Sequence, residues 1–242
     1  MRASLFITCL ADLFEPAIGV AMVRLLRKHG VALDFPEAQT CCGQPAFNTG
    51  NWDDARAVAR RMLDVFEDAE YVVSPSGSCT AMVREQFPVL FAEEPRQLER
   101  AKALASRTYE FIEFFVKVLK ITDPDARFDG TLTYHYTCHL RGLGMTTEAE
   151  DLVRRLKGVT YVPLERKEQC CGFGGAFAVK YPDVSGAMVN DKVDCIIRTG
   201  ADAVVVNDTG CIMNIAGALR RRNVPIRVIH LARILAGEVT HP

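Results

Sequence analysis

Short apolar runs and amphipathic stretches alternate along the chain, and the alternation occurs twice. Residues 3–8, Ala-Ser-Leu-Phe-Ile-Thr, are apolar and partly β-branched, which predicts a buried strand that delivers Cys9 at its end. Beyond Pro16 the apolar set Ile18, Met22, Leu25 and Leu26 recurs at helical spacing until Gly30. Val31 to Phe35 predicts a second strand, stopped by Pro36, and a loop then carries Cys41-Cys42-Gly43. Asn51 or Asp53 is suited to cap the next helix, whose apolar stripe is Val58, Met62, Val65 and Phe66. Tyr71-Val72-Val73 predicts a third strand, which leads directly to Pro75 and Cys79. Residues 80–120 read as helix in pieces broken near Pro88 and Pro95, with Phe111, Phe114, Phe115 and Val118 as a core face. Residues 121–130 combine charge, Pro and Gly as a linker does.

The second half repeats the order. Thr131–Thr137 reads as a strand ending in Cys138, and a helix follows near 146–157. A strand at Val159–Pro163 leads to the Cys170-Cys171-Gly172 loop, then come a helix over Val184–Arg198 and a strand at Ala203–Val206 before Cys211. A strand near Ile226–Ile229 and a helix over 231–236 close the chain. The expected fold is α/β, with two pseudo-symmetric repeats over 1–125 and 126–242. Each is a small parallel sheet flanked by helices, with its cysteines in loops at the carboxyl ends of strands, the edge where ligands bind in open parallel sheets.

The cysteines make the repeat more specific. Cys9 is followed by 31 residues, then Cys41-Cys42, then 36 residues to Cys79; Cys138 is followed by 31 residues, Cys170-Cys171, and 39 residues to Cys211. Only Cys195 has no cysteine counterpart, and it reads as a packing residue on a helix. Four recurrent thiols per half suggest a soft-metal site built once and duplicated, with Cys9, Cys41, Cys42, Cys79, Cys138, Cys170, Cys171 and Cys211 as ligands. Adjacent cysteines aim in different directions, which suits a polynuclear iron–sulfur cluster better than one tetrahedral zinc ion, although zinc remains an alternative. His139 has Leu10 at the equivalent position and is a candidate ligand or proton relay, whereas His135 reads as a packed strand residue.

Bulk properties remove other classes. A chain of 242 residues with 49% hydrophobic and 24% charged residues has an ordinary globular composition, and a net charge of −1 invites neither nucleic acid nor an anionic membrane. Short basic runs such as Arg220-Arg221-Arg222 read as solvated helix faces. Asp12 and Glu15 interrupt the apolar start too soon for a signal peptide, and no run reaches the roughly 18 residues of a membrane span. The expectation is a soluble cytoplasmic protein, in which an odd cysteine count with two vicinal pairs points to metal or redox chemistry.

The doubled Cys-Cys-Gly pattern resembles the cysteine-rich CCG domain family, which includes iron–sulfur components of heterodisulfide reductase, glycolate oxidase and anaerobic glycerol-3-phosphate dehydrogenase. Ser4-Leu-Phe-Ile-Thr-Cys-Leu, Cys41-Cys-Gly-Gln-Pro-Ala-Phe-Asn, Tyr71-Val-Val-Ser-Pro-Ser-Gly-Ser-Cys and Cys170-Cys-Gly-Phe-Gly-Gly resemble its lactate-utilising branch. The resemblance covers nearly the whole chain. It implies an iron–sulfur electron-transfer subunit of a multi-protein system oxidising L-lactate to pyruvate, an oxidoreductase component incomplete alone, with a four-iron cluster and a ferredoxin-type partner. The same resemblance leaves a heterodisulfide-reductase-like redox role open, and a zinc-stabilised structural protein is the reading from another class, with the site zinc-filled or vacant after isolation in air. In the family the last cysteine belongs to a Cys-x-x-Cys pair, but here Ser76 and Asp208 stand at the first position of that pair, leaving four thiols per half where the family has five. No strand-turn-helix carries the Gly-x-Gly-x-x-Gly signature of a nicotinamide or flavin site.

Overall fold

The computed structural model describes residues 1–242. The strands are β1 (Arg2–Leu5), β2 (Ala32–Asp34), β3 (Tyr71–Ser74), β4 (Thr108–Glu110), β5 (Arg127–Tyr134), β6 (Lys157–Tyr161), β7 (Ala203–Val206) and β8 (Arg227–His230). They form two four-stranded sheets of the same order, β2-β1-β3-β4 and β6-β5-β7-β8. All pairings are parallel. Parallel neighbours need crossover connections, and helices supply them. The expected α/β duplication is therefore present down to strand order.

Burial follows the patterning. In the helix Ala17–Lys28, Ile18, Met22, Leu25 and Leu26 are all buried, and each contributes roughly 1.5–3 kcal/mol by leaving water. That helix packs against the last helix, Leu231–Leu235, from the other half. The larger core is accordingly continuous across the two sheets and joins Leu5, Ile18 and Phe111 to Tyr134, Val205 and Ile234. A smaller core, containing Phe6, Met62, Phe66 and Phe87, lies within the first half. Phe111, Phe114 and Phe115 are fully buried, as their spacing predicts.

Three elements differ from the sequence expectation. β4 lies inside the last of the helical pieces read over 80–120; it is only three residues long, too short to show a period of two. The segment read as a linker contains the first residues of β5, whose register shifts between Arg127 and Gly130, so its polar composition reflects an irregular, exposed strand start. Near Pro88 the chain makes a π turn at Met82–Gln86, because the proline ring cannot sit over the carbonyl of Arg84 in a regular α-helix. The helix Pro95–Ser106 then begins on its proline, which suits a first helical position.

The ends of β4 and β8 reveal a further correspondence. The Glu110 carboxylate accepts from the amides of Ile112 and Glu113, and His230 Nδ1 accepts from the amide of Ala232. Each residue caps the helix that leaves its sheet. Burial pushes the Glu110 carboxyl up to about 8. His230 Nε2 donates to Pro75 O at 3.0 Å and so ties the end of the second sheet to the loop preceding Cys79. No helix is long and apolar enough to cross a membrane.

Candidate metal centre

The strand edges deliver the sulfurs, but four of them stand on helices instead of the expected loops. β1 and β5 run through Thr8 and Thr137 to Cys9 and Cys138, the first residues of the short helices Cys9–Phe14 and Cys138–Gly142. β3 and β7 lead to Ser76 and Asp208, which cap the helices bearing Cys79 and Cys211. Three of these helices have only five or six residues, too short for apolar periodicity to announce them, whereas the one bearing Cys211, Thr209–Arg221, has 13. Cys41, Cys42, Cys170 and Cys171 lie in loops after β2 and β6, as expected.

All eight sulfurs predicted as ligands line one cavity of about 460 Å³. In the first half Cys9 and Cys41 Sγ are 3.7 Å apart, and Cys42 and Cys79 Sγ are 3.3 Å apart. In the second half Cys171 and Cys211 Sγ are 3.0 Å apart, and the Gly172 amide donates to Cys170 Sγ at 3.3 Å. Hydrogen bonds from Cys42 and Cys9 pull Cys41 down to about 2, and those from Cys138 and Cys171 pull Cys170 down to about 2. The same bonds, with burial, raise Cys9, Cys42, Cys138 and Cys171. Four convergent soft donors in each set fit a thiophilic metal or an iron–sulfur cluster.

Ser76 and Asp208 meet at the centre of the molecule. Ser76 Oγ donates to Asp208 Oδ2 at 2.8 Å, and the Ser78 amide donates to the same oxygen at 3.1 Å. Asp208 Oδ1 accepts from the Gly210 amide at 3.0 Å. The two residues that replace thiols of the family pattern thus bond to each other across the two halves. Thr8, Gln44, Asn48, Ser78, Thr137, His139 and Thr209 complete much of the polar lining, and no Lys or Arg is among the lining residues.

The glycines after the vicinal pairs both adopt left-handed backbone, with φ +82° at Gly43 and +83° at Gly172. Their surroundings differ. A Cβ on Gly43 meets nothing closer than Val58 at 3.4 Å, whereas on Gly172 it meets Ser185 O at 2.7 Å and Met188 Cβ at 2.9 Å. Gly43→Ala is expected to cost about 1 kcal/mol from the backbone alone. Gly172→Ala adds a clash with backbone, for a loss of roughly 2–4 kcal/mol. Urea midpoints measured side by side check this, and equal losses would contradict it.

The remaining candidates separate clearly. Cys195 is buried in the core helix Pro182–Arg198, outside the cavity lining. His139 lines the cavity, with Nδ1 3.7 Å from Cys138 Sγ. His135, which sequence reasoning treats as packing, brings a ring nitrogen into a group with Cys171 and Cys211 Sγ in which all three donor atoms lie within 4.8 Å of one another. The signal for it lies in the repeat, since the equivalent residue Phe6 shows that the strand needs no polar group there.

This fold and site define a duplicated α/β protein with one four-cysteine set per half, gathered around a common cavity. The chain belongs to the cysteine-rich CCG domain family, whose model matches residues 3–84 and again 132–216. Within it the chain is similar to Lactate utilization protein A of Bacillus licheniformis, with 50% identity over 97% of this chain and 99% of that protein. Similarity to Lactate utilization protein A of Bacillus subtilis is 46% over 97% of this chain and 99% of that protein. Among solved structures, a hypothetical protein from Helicobacter pylori superposes with a TM-score of 0.68 at 8% identity, over 97% of this chain and 48% of that one, which is a likeness of fold.

Proposed function

We propose that the chain is the iron–sulfur electron-transfer subunit of a multi-protein system that oxidises L-lactate to pyruvate. The observation that carries this is the single cavity onto which both sulfur sets open. Sulfur pairs 3.0–3.7 Å apart also suit one tetrahedral ion, so what favours a cluster is the space of about 460 Å³ that the sulfurs border. Cys9, Cys41, Cys42 and Cys79 would hold one centre, and Cys138, Cys170, Cys171 and Cys211 the other. An iron–sulfur cluster supplies reversible one-electron chemistry. Two such sites in one chain match the two electrons that leave a 2-hydroxy acid when it becomes a keto acid.

The lining argues for passing electrons over oxidising lactate in this chain. A buried carboxylate needs cationic or charge-assisted partners, and the cavity presents no Lys or Arg. Lactate, as the name of the relatives suggests, would then lose its electrons on another protein of the system, and a ferredoxin-type protein is the fitting neighbour in the relay. Deleting the gene in a host with no other lactate dehydrogenase tests the assignment. Growth on L-lactate is expected to stop and to return with the intact gene, but not with a Cys42→Ala, Cys171→Ala double variant. Unimpaired growth of the deletion strain would count against the lactate assignment.

A further inference from the structure

The repeat makes the two sulfur sets alike, and the residues behind them make them different. In the second half His135, at the end of β5, is 1% exposed, and its Nδ1 is buried without a hydrogen-bond partner. A buried polar atom left unpaired costs about 1–3 kcal/mol, a cost that a ligand bound at that atom would remove. His230 shows how this fold treats a histidine that only packs: it is equally buried, and both its ring nitrogens are engaged, by Ala232 N and Pro75 O. His135 instead has a ring nitrogen clustered with the sulfurs of Cys171 and Cys211.

The first half has no such group. Phe6 occupies the position equivalent to His135 and packs edge-on against Phe66, with ring centroids 5.9 Å apart. A second difference lies one helix away. The contacts of Gly43 with Ala55 and Val58, and of Gly172 with Ser185 and Met188, align the two following helices. The same alignment matches buried Met62 with buried Lys192. Lys192 Nζ donates to the carbonyls of Arg166 and Lys167, in the segment that leads to Cys170.

We propose that His135 ligates the metal centre of the second half through an imidazole nitrogen, beside Cys171 and Cys211, so that the two halves hold chemically different centres. The first is bound by thiolates alone and the second by thiolates and imidazole. The imidazole is a neutral donor added beside the four thiolates that each half supplies, and Phe6 offers none in the first half. This rests on the reading that the sulfur sets hold metal.

Pulsed electron paramagnetic resonance on the anaerobically loaded, dithionite-reduced full chain tests it, with protein grown on natural-abundance or 15N-labelled histidine. One of the two reduced signals is expected to show a strongly coupled nitrogen that responds to the label. His135→Phe, which copies the first half, is expected to abolish that coupling, while His139→Leu leaves the coupling in place. Because His135→Phe alters a buried residue, the labelled wild-type spectrum stands as a test without it. Absence of bound nitrogen from both signals, or loss of the coupling in His139→Leu alone, overturns the proposal and leaves the iron–sulfur reading intact. If the protein holds zinc, the iron–sulfur reading fails, and the same nitrogen coupling sought on cobalt(II)-substituted protein decides for or against His135. Protein that binds no metal overturns both.

Discussion

Cys211→Ala, loaded under anaerobic conditions, is expected to lose the metal of the second half and keep that of the first, so that the protein retains half its iron and half its visible absorbance. Cys79→Ala is expected to give the mirror result. Each half contributes its own four sulfurs, and the shortest contacts, Cys42 to Cys79 and Cys171 to Cys211, lie within a half. Deleting one member leaves the other set complete. Cys195→Ala serves as the control, because that thiol lies in the core beside Arg198 and away from the cavity. Iron and sulfide assays on the three variants check this; loss of all iron from either single variant would show that the sets share one site.

The second large effect is on stability. Asp208→Ala is expected to lower the unfolding free energy by about 2–4 kcal/mol, since it takes the acceptor from the amides of Ser78 and Gly210 and leaves the Ser76 hydroxyl only Ser78 Oγ as a partner. Two of those three donors belong to the first half, so the loss also loosens the seam between the halves. Asp208→Asn keeps acceptor oxygen in place and is expected to lose less, about 1–2 kcal/mol. In a double-mutant cycle with Ser76→Ala, the coupling is expected at about 0.5–3 kcal/mol. Urea unfolding measures all three. A wild-type midpoint for Asp208→Ala would contradict the role given to this pair.

The duplication is legible because it is written in spacing. The interval from Cys9 to Cys41 recurs unchanged from Cys138 to Cys170, and the strands ahead of each cysteine are apolar runs of buried parallel sheet. The three-residue offset by Cys211 reflects the longer helix in the second half, Pro182–Arg198 against Trp52–Val65. β4 escapes because Thr108-Tyr109-Glu110 is short and polar, yet its counterpart at Ile226–Ile229 is readable. Applying the repeat in reverse locates it.

The site is legible as a set of residues and less so as an arrangement. Sequence places eight thiols at strand ends but has no means of showing that the two edges face a common cavity, because that depends on packing such as the helix Ala17–Lys28 against Leu231–Leu235. Ser76 and Asp208 look like weakened ligands when each is compared with a cysteine, and their partnership emerges only when the halves are folded together. His135 reads as packing because a histidine on a buried strand is more often satisfied than functional. Its unpaired nitrogen is a property of the fold.

On the proposed function each half holds a redox-active iron–sulfur centre. Iron, acid-labile sulfide and zinc determined together on anaerobically purified full-length protein test it most directly. The expected result is about four irons with matching sulfide per half, and a visible absorption that bleaches on reduction. Colourless protein carrying stoichiometric zinc and no sulfide under the same strict anaerobiosis would contradict it.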